Sequence, residues 1–370
     1  MRFRAFVNPH RMIHNGLTPP FYERKISVPA QPKIRFSVIG INHPHIYGQS
    51  NLLLRAGAEL VSFYATEPDL IARFTETYPQ ARQVSSEAEI LEDESIHLIA
   101  SAAIPDERAP LGIRVMRHGK DYMSDKPGFV SLEQLEEVRR VQAETGRIYS
   151  IDYSERLDVP AAAKAGELVQ AGAIGRVVQT LGMGPHRTRL HTRPDWFFHP
   201  ARYGGIITDI GSHQADQFLF YTGSTEAEVV ASQVGNFKHA QYPEFEDFGD
   251  LTLRGNGGMG YIRIDWYTPD GLDTWGDGRL FILGTEGYIE LRKYTDIAGR
   301  PGGNHLFLVD QKGTHYMDCK DVPLPYGPQL VHDIIHRTET AMPQAHCFLA
   351  SELALKAQAQ AARLGNLETS

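Results

Sequence analysis

Between residues 34 and 153, short β-branched runs alternate with segments of helical period, and this alternation limits the possible folds more than any other feature of the chain. The strand candidates are 34–39, 60–64, 97–103, 122–123 and 148–153. Between them lie helical segments at 46–56, 69–78, 108–118 and 131–145. Gly57, Gly119 and Gly146 stand at helix ends, and Pro68 stands at a helix start, where each residue type is favoured. Strands that alternate with helices of ten to fifteen residues build βαβ units and a parallel sheet. Residues 34–155 are therefore expected to form a doubly wound, Rossmann-type α/β domain.

The second half has another rhythm. A helix at 159–170, a strand at 177–182 and a helix at 212–221 are followed by strand candidates with no helices between them. These are 229–237, 250–254, 260–266, 279–283, 288–291 and 306–309. The run Gly255-Asn256-Gly257-Gly258 between two of them suits a hairpin turn. Two helices, 329–340 and 346–364, follow. Residues 156–370 are expected to form an α+β domain on an open, mostly antiparallel sheet. Its last helices are free to pack back on the first domain. Residues 1–33 hold six basic side chains (Arg2, Arg4, Arg11, Arg24, Lys25, Lys33) against Glu23, and are read as an irregular arm.

Composition removes several function classes. The 370 residues carry a net charge of −8, which is no footprint for nucleic acid or an anionic membrane surface. Cys319 and Cys347 are too few for a disulfide framework and form no zinc spacing. Nothing in the arrangement of the 16 histidines asks for a metal, so none is expected. The arm lacks the apolar stretch of a secretory signal, and a cytoplasmic location is expected.

The loop after the first strand is Gly40-Ile41-Asn42-His43-Pro44-His45-Ile46-Tyr47-Gly48. A glycine turn leading into a helix N-terminus is the arrangement that receives a dinucleotide pyrophosphate. Only Gly40 matches the G-x-G-x-x-G pattern, because Asn42 and His45 occupy the other two glycine positions. Asn42 tolerates a left-handed turn. His45 has to displace the helix or point into the cofactor cleft, with His43 beside it. No acid ends the second strand, and Glu67, two residues further, is the candidate for the ribose hydroxyls. No arginine follows it closely, which favours NAD(H) and leaves NADP(H) open.

Two further segments carry chemistry. Lys126, in Ser124-Asp125-Lys126-Pro127-Gly128, follows a parallel strand on the ligand side of the sheet, where an ammonium can stabilise an alkoxide. In Gly204-Gly205…Asp209-Ile210-Gly211-Ser212-His213-Gln214-Ala215-Asp216, Asp209 and His213 lie one helical turn apart, and Asp216 falls on the same face. A carboxylate beside an imidazole makes a general base. Taken singly, each of these residues has an equally good structural reading, as a surface lysine, a helix cap or a buried histidine.

Together, in this order, the two segments resemble the glucose–fructose oxidoreductase/inositol dehydrogenase/rhizopine catabolism (Gfo/Idh/MocA) family. Asp125-Lys126-Pro127 is similar to its Glu-Lys-Pro motif, with Asp for Glu. Gly204-Gly205…Asp209-x-Gly211-x-His213-x-x-Asp216 matches its second motif without a gap. The resemblance spans about residues 33–364. It implies reversible NAD(P)-dependent oxidation of a secondary hydroxyl of a sugar or polyol to a ketone. Lys126 and His213 would act on the reacting oxygen. Asp209 would orient the imidazole or bind a neighbouring hydroxyl. It also leaves two alternatives, a glycoside-cleaving enzyme that oxidises the sugar transiently on retained NAD, and a non-catalytic sensor.

His186 and Arg187, after the strand at 177–182, and Trp196 are further candidates for substrate contact. Glu155-Arg156 is read as an ion pair at the domain junction in preference to a ligand contact. Trp266, Tyr267 and Trp275 suit either an oligomer interface or core packing. The resemblance also implies that residues 156–370 bind the substrate and pair subunits, so a homodimer or homotetramer is expected.

Overall fold

A computed structural model describes residues 33–365. The arm at 1–33 therefore lies almost wholly outside the described residues. The first lobe runs β1 (Arg35–Ile39), α1 (His45–Arg55), β2 (Glu59–Tyr64), α2 (Pro68–Thr77), β3 (Arg82–Gln83), α3 (Glu87–Leu91), β4 (Leu98–Ser101), α4 (Pro105–Arg117), β5 (Asp121–Asp125), α5 (Leu132–Thr145) and β6 (Tyr149–Asp152). Its six strands are all parallel, in the order β3-β2-β1-β4-β5-β6. This is the expected doubly wound sheet. Strands β4, β5 and β6 are buried at every residue, as strands covered on both faces must be. The order reverses between β1 and β4, which opens a crevice at the strand ends beside Gly40 and Lys126.

Two elements of this lobe are absent from the sequence expectations. β3 is a two-residue exposed edge pair with no apolar pattern to betray it. α3 is one short turn, but Ser86 and Glu89 stand at capping-box spacing, and the Ser86 hydroxyl does accept the Glu89 N–H. Helix α4 begins three residues before the expected 108, with Pro105 at its first turn. Pro110 sits inside it and has no N–H for the Asp106 carbonyl. That carbonyl takes the Gln134 side-chain amide instead, at 3.0 Å, so the helix continues.

The second lobe runs α6 (Ser154–Leu157), α7 (Pro160–Gln170), β7 (Val177–Pro185), α8 (Pro200–Tyr203), α9 (Ser212–Thr222), β8 (Ala227–Gly235), β9 (Phe248–Gly255), β10 (Met259–Asp265), β11 (Arg279–Gly284), β12 (Tyr288–Arg292), β13 (His305–Asp310), β14 (Gly313–Asp318), α10 (Tyr326–His336), α11 (Gln344–Gln360) and β15 (Ala362–Arg363). Nine strands form one mixed sheet, β14-β13-β12-β11-β7-β10-β9-β8-β15. All its pairings are antiparallel except β7 with β10 and β8 with β15. Alternate residues of β9 and β10 (Leu251, Leu253, Ile262, Ile264) are buried under helices, while Met259 and Tyr261 face outward. Val178, Leu181, Leu283, Tyr288 and Tyr316 are also exposed on strands of this sheet.

α11 ties the lobes together. The Tyr149 N–H donates to the Gln344 side chain at 2.8 Å, the hydroxyls of Tyr153 and Ser351 meet at 2.8 Å, and Arg139 pairs with Glu352. From Lys33 onward the described residues form one body, and the cleft between the two sheets is part of it.

Candidate active site

A cavity of about 440 Å³ opens in that cleft. From the first lobe it is walled by His43, Pro44, His45, Arg108 and Lys126. From the second it is walled by Glu155, His186, Arg187, Arg189, Arg193, Trp196, Asp209, His213, Trp266, Trp275 and Tyr294.

Lys126 leaves the end of β5 through a cis peptide to Pro127 and is only 5% exposed. Its Nζ donates to Asp209 Oδ1 at 2.8 Å. The buried Arg108 guanidinium holds the segment from behind, donating to the carbonyls of Ala103, Lys126 and Pro127 and to Asp125 at 3.0 Å. Nothing in the sequence marks Arg108 for this task, because all its partners but Ala103 lie 17 to 19 residues away.

Asp209 belongs to a π-helical turn (Ile207–Gly211) that feeds α9. Such turns are frequent at functional sites because they re-aim a side chain within a helix. Gly205, at the start, has φ +86, and a Cβ there would meet the Gln358 side chain at 2.3 Å. Asp209 and His213 both reach the cavity, as their spacing predicted. The carboxylate, however, bonds Lys126 and not the imidazole, contrary to the orienting task expected of Asp209. The buried His213 Nδ1 has no partner among the described residues. Burial, with Lys126 nearby and in spite of Glu155, pulls the His213 pKa down to about 3, so the ring is neutral at neutral pH.

Asp216, three residues beyond His213, does not line the cavity. Both of its oxygens are bonded by Arg156 at 2.7 Å, and His346 adds a contact of 2.8 Å. These bonds tie the buried acid to α6 and α11. The reading of Glu155-Arg156 as one junction pair is corrected. Arg156 belongs to Asp216, and Glu155 pairs with Lys293 at 2.9 Å and lines the cavity. Burial raises the Glu155 pKa, but Lys293 and the neighbouring histidines outweigh it and hold the carboxyl at about 2. Its Oε1 has no partner.

His186, Arg187 and Trp196 all border the cavity. The Arg187 guanidinium is engaged by the carbonyls of Pro269 and Leu272. Trp266 stacks edge-on with Phe197, and Trp275 packs on His186 and Tyr294, so these tryptophans wall the cavity instead of an outer interface. Tyr294 and Arg193 are absent from the sequence candidates, Trp275 was read as an interface or core residue, and ligand contact was the second reading of Glu155. They come from loops, a short helix and a strand end whose convergence has no local signature.

The dinucleotide residues lie at the adjoining strand ends. Gly40 has φ +79, and a Cβ there would come within 2.6 Å of the Ala103 Cβ, so only glycine fits. The Asn42 side chain donates to Glu67 at 2.7 Å, which unites the second position of the loop with the candidate ribose acid. His45 starts α1 without displacing it and bonds Asp125 at 2.8 Å. Burial keeps the Asp125 pKa from falling further, but His45 and Arg108 hold it well below the carboxylate range. The tight turn, the positive dipole end of α1 and Glu67 fit a dinucleotide. Ligand atoms of His43, His45 and Asp125 lie within 4.8 Å of one another, a convergence that the sequence spacing does not reveal. Asp125 is already engaged by both Arg108 and His45.

A doubly wound sheet with such a turn, joined to a lysine and a neutral histidine in one cleft, defines a pyridine-nucleotide oxidoreductase. Comparison with known proteins agrees. Residues 34–153 match the model of the oxidoreductase family with an NAD-binding Rossmann fold, and residues 162–290 match the GFO/IDH/MocA C-terminal domain. The chain belongs to the GFO/IDH/MocA family. It is 25% identical over 332 residues to the scyllo-inositol 2-dehydrogenase (NAD(+)) of Bacillus subtilis (strain 168), covering 85% of this chain and 83% of that protein. A candidate oxidoreductase from Erwinia carotovora atroseptica SCRI1043 is 49% identical, with a TM-score of 0.88, over 90% of this chain and all of that one. Levoglucosan dehydrogenase in complex with NADH and levoglucosan shares the fold at 17% identity and a TM-score of 0.69, over 89% of this chain and 97% of that one.

Proposed function

We propose that this chain catalyses the reversible, NAD-dependent oxidation of one secondary hydroxyl of a sugar, sugar derivative or polyol to a ketone. The observation that carries this reading is the Lys126–Asp209 pair at 2.8 Å, on the same cavity wall as a neutral His213. Residues 34–155 would bind the dinucleotide and residues 156–370 would shape the substrate end. Gly40, Asn42, His43 and His45 would receive the pyrophosphate side, and Glu67 the ribose hydroxyls. When bound, the nicotinamide supplies the hydride acceptor.

Lys126 Nζ donates a hydrogen bond to the reacting oxygen and stabilises it as alkoxide character develops. Asp209 holds that ammonium in position. His213, neutral in the cleft, takes the hydroxyl proton as general base, and the nearby Glu155 carboxylate stabilises the imidazolium that forms. The faces of Trp196 and Trp275 suit the C–H surfaces of a sugar ring.

The test is a panel of inositols, hexoses, sugar acids and p-nitrophenyl glycosides, followed at 340 nm with NAD and with NADP. The expected result is cofactor reduction, faster with NAD. Release of p-nitrophenol without added cofactor and without net reduction would contradict the dehydrogenase reading in favour of glycoside cleavage.

A further inference from the structure

Most charges around the cavity are matched. Asp125 faces Arg108 at 3.0 Å, Asp209 faces Lys126 at 2.8 Å and Glu155 faces Lys293 at 2.9 Å. Two arginines on the segment after β7 are not matched. Arg193 lies over the rings of Phe197 and Trp266, 4.3 and 4.9 Å from their centroids. Its Nε donates to the Thr188 carbonyl at 2.7 Å, and its Nη2 to that of Arg187 at 3.4 Å. Its Nη1 has no protein acceptor, and no carboxylate oxygen of the described residues lies within 4.0 Å of the group. A guanidinium walled by aromatic rings without an ion-pair partner is costly unless a ligand supplies one. Burial lowers its proton affinity, and Asp209, already paired with Lys126, only partly offsets this.

Arg189 is the second. Its side chain also borders the cavity and bonds no acceptor among the described residues. Its backbone sits at φ +50, one of three such non-glycine residues among those described. The left-handed region is unfavourable for a long side chain, and residues held there concentrate at ligand sites. A chain with net charge −8 thus presents two unmatched cations to its own cavity.

We propose that the substrate is a polyhydroxy acid, such as an aldonate or a uronate, whose carboxylate is held by Arg193 and Arg189 while a ring or chain hydroxyl reaches Lys126 and His213. Planar guanidinium groups match a carboxylate bidentately. The proposal rests on the dehydrogenase reading for its orientation, but its test does not need turnover.

The enzyme–NADH complex is titrated with aldonates and uronates and, in pairs, with the corresponding alditols and methyl glycosides, and nicotinamide fluorescence is read. In the best pair the acid is expected to bind about tenfold more tightly than its neutral counterpart, as a charge-assisted contact implies. Arg193→Met keeps the stacking bulk and is expected to bring the pair within about twofold without weakening the neutral ligand; Arg193→Lys is expected to restore part of the preference. Arg189→Met, at an exposed position, checks the result should the first variant unfold early. Equal or tighter binding of every neutral ligand, a preference that survives both methionine variants, or no binding by any acid would overturn the proposal. An enzyme that reduces NAD with neutral polyols and ignores their acids refutes this inference and leaves the dehydrogenase reading intact.

Discussion

His213 and Glu155 show how two polar atoms without partners can define a site. The Nδ1 of one and the Oε1 of the other are buried and unbonded, and both residues line one cavity. Native proteins rarely leave such atoms orphaned unless a ligand or water completes them. The low His213 pKa has a direct test. A Cε1–H resonance assigned by its loss in His213→Gln is expected to keep its neutral position from pH 8 to pH 5. A midpoint near 6.5 would contradict the burial account. The linkage follows in sign. The unfolded chain binds the proton first, so the stability due to neutral His213 and His186 is complete above about pH 6.5 and declines as the pH falls toward about 3 and 4. At this scale His213, Lys126 and Asp209 were legible because their motifs are contiguous. Glu155 was not, because Lys293, which decides its ionisation, is 138 positions away.

At the scale of elements, the β1–α1 turn and α9 carry different burdens. In the turn, Gly40→Ala meets both a positive φ and the Ala103 Cβ. It is expected to cost more than ~1 kcal/mol in urea unfolding and to weaken NAD binding, read by fluorescence titration. Unchanged NAD affinity would remove the turn from the cofactor site. In α9, Asp216→Asn leaves Arg156 buried without its counter-charge, with an expected loss of ~3–5 kcal/mol in the same unfolding measurement. A loss below ~1 kcal/mol would show that the network is not structural. The long, periodic elements were readable from spacing alone, as α5 and the strands of the first sheet other than β3 show. The π turn was not, because Ile207 to Leu219 are all buried and leave no exposed face whose period a wider turn could shift, while it turns Asp209 toward Lys126.

The whole molecule presents a nine-stranded sheet with apolar side chains on its outer side, among them Tyr261, Met259, Leu181 and Tyr288. A contiguous apolar face of this kind marks an association surface. We propose that a second copy of the chain covers it. Sedimentation equilibrium is expected to give at least twice the chain mass, and Tyr261→Glu to shift it toward the monomer; a wild-type monomer at micromolar concentration would contradict this. Both sheets were foreseen from the change of rhythm near residue 155, but the cavity between them arises from their docking, which no local pattern encodes. None of the helices among the described residues is long and apolar enough to cross a membrane.

The central claim is that Lys126 and His213 act on the reacting hydroxyl. It is tested most directly by single-turnover NAD reduction at 340 nm, on the best substrate of the panel, with Lys126→Ala and His213→Ala beside the unaltered enzyme. The expected result is a fall of roughly 100-fold or more in the rate of hydride transfer for each variant, with NAD affinity little changed for His213→Ala. Full turnover by both variants on that substrate would contradict it.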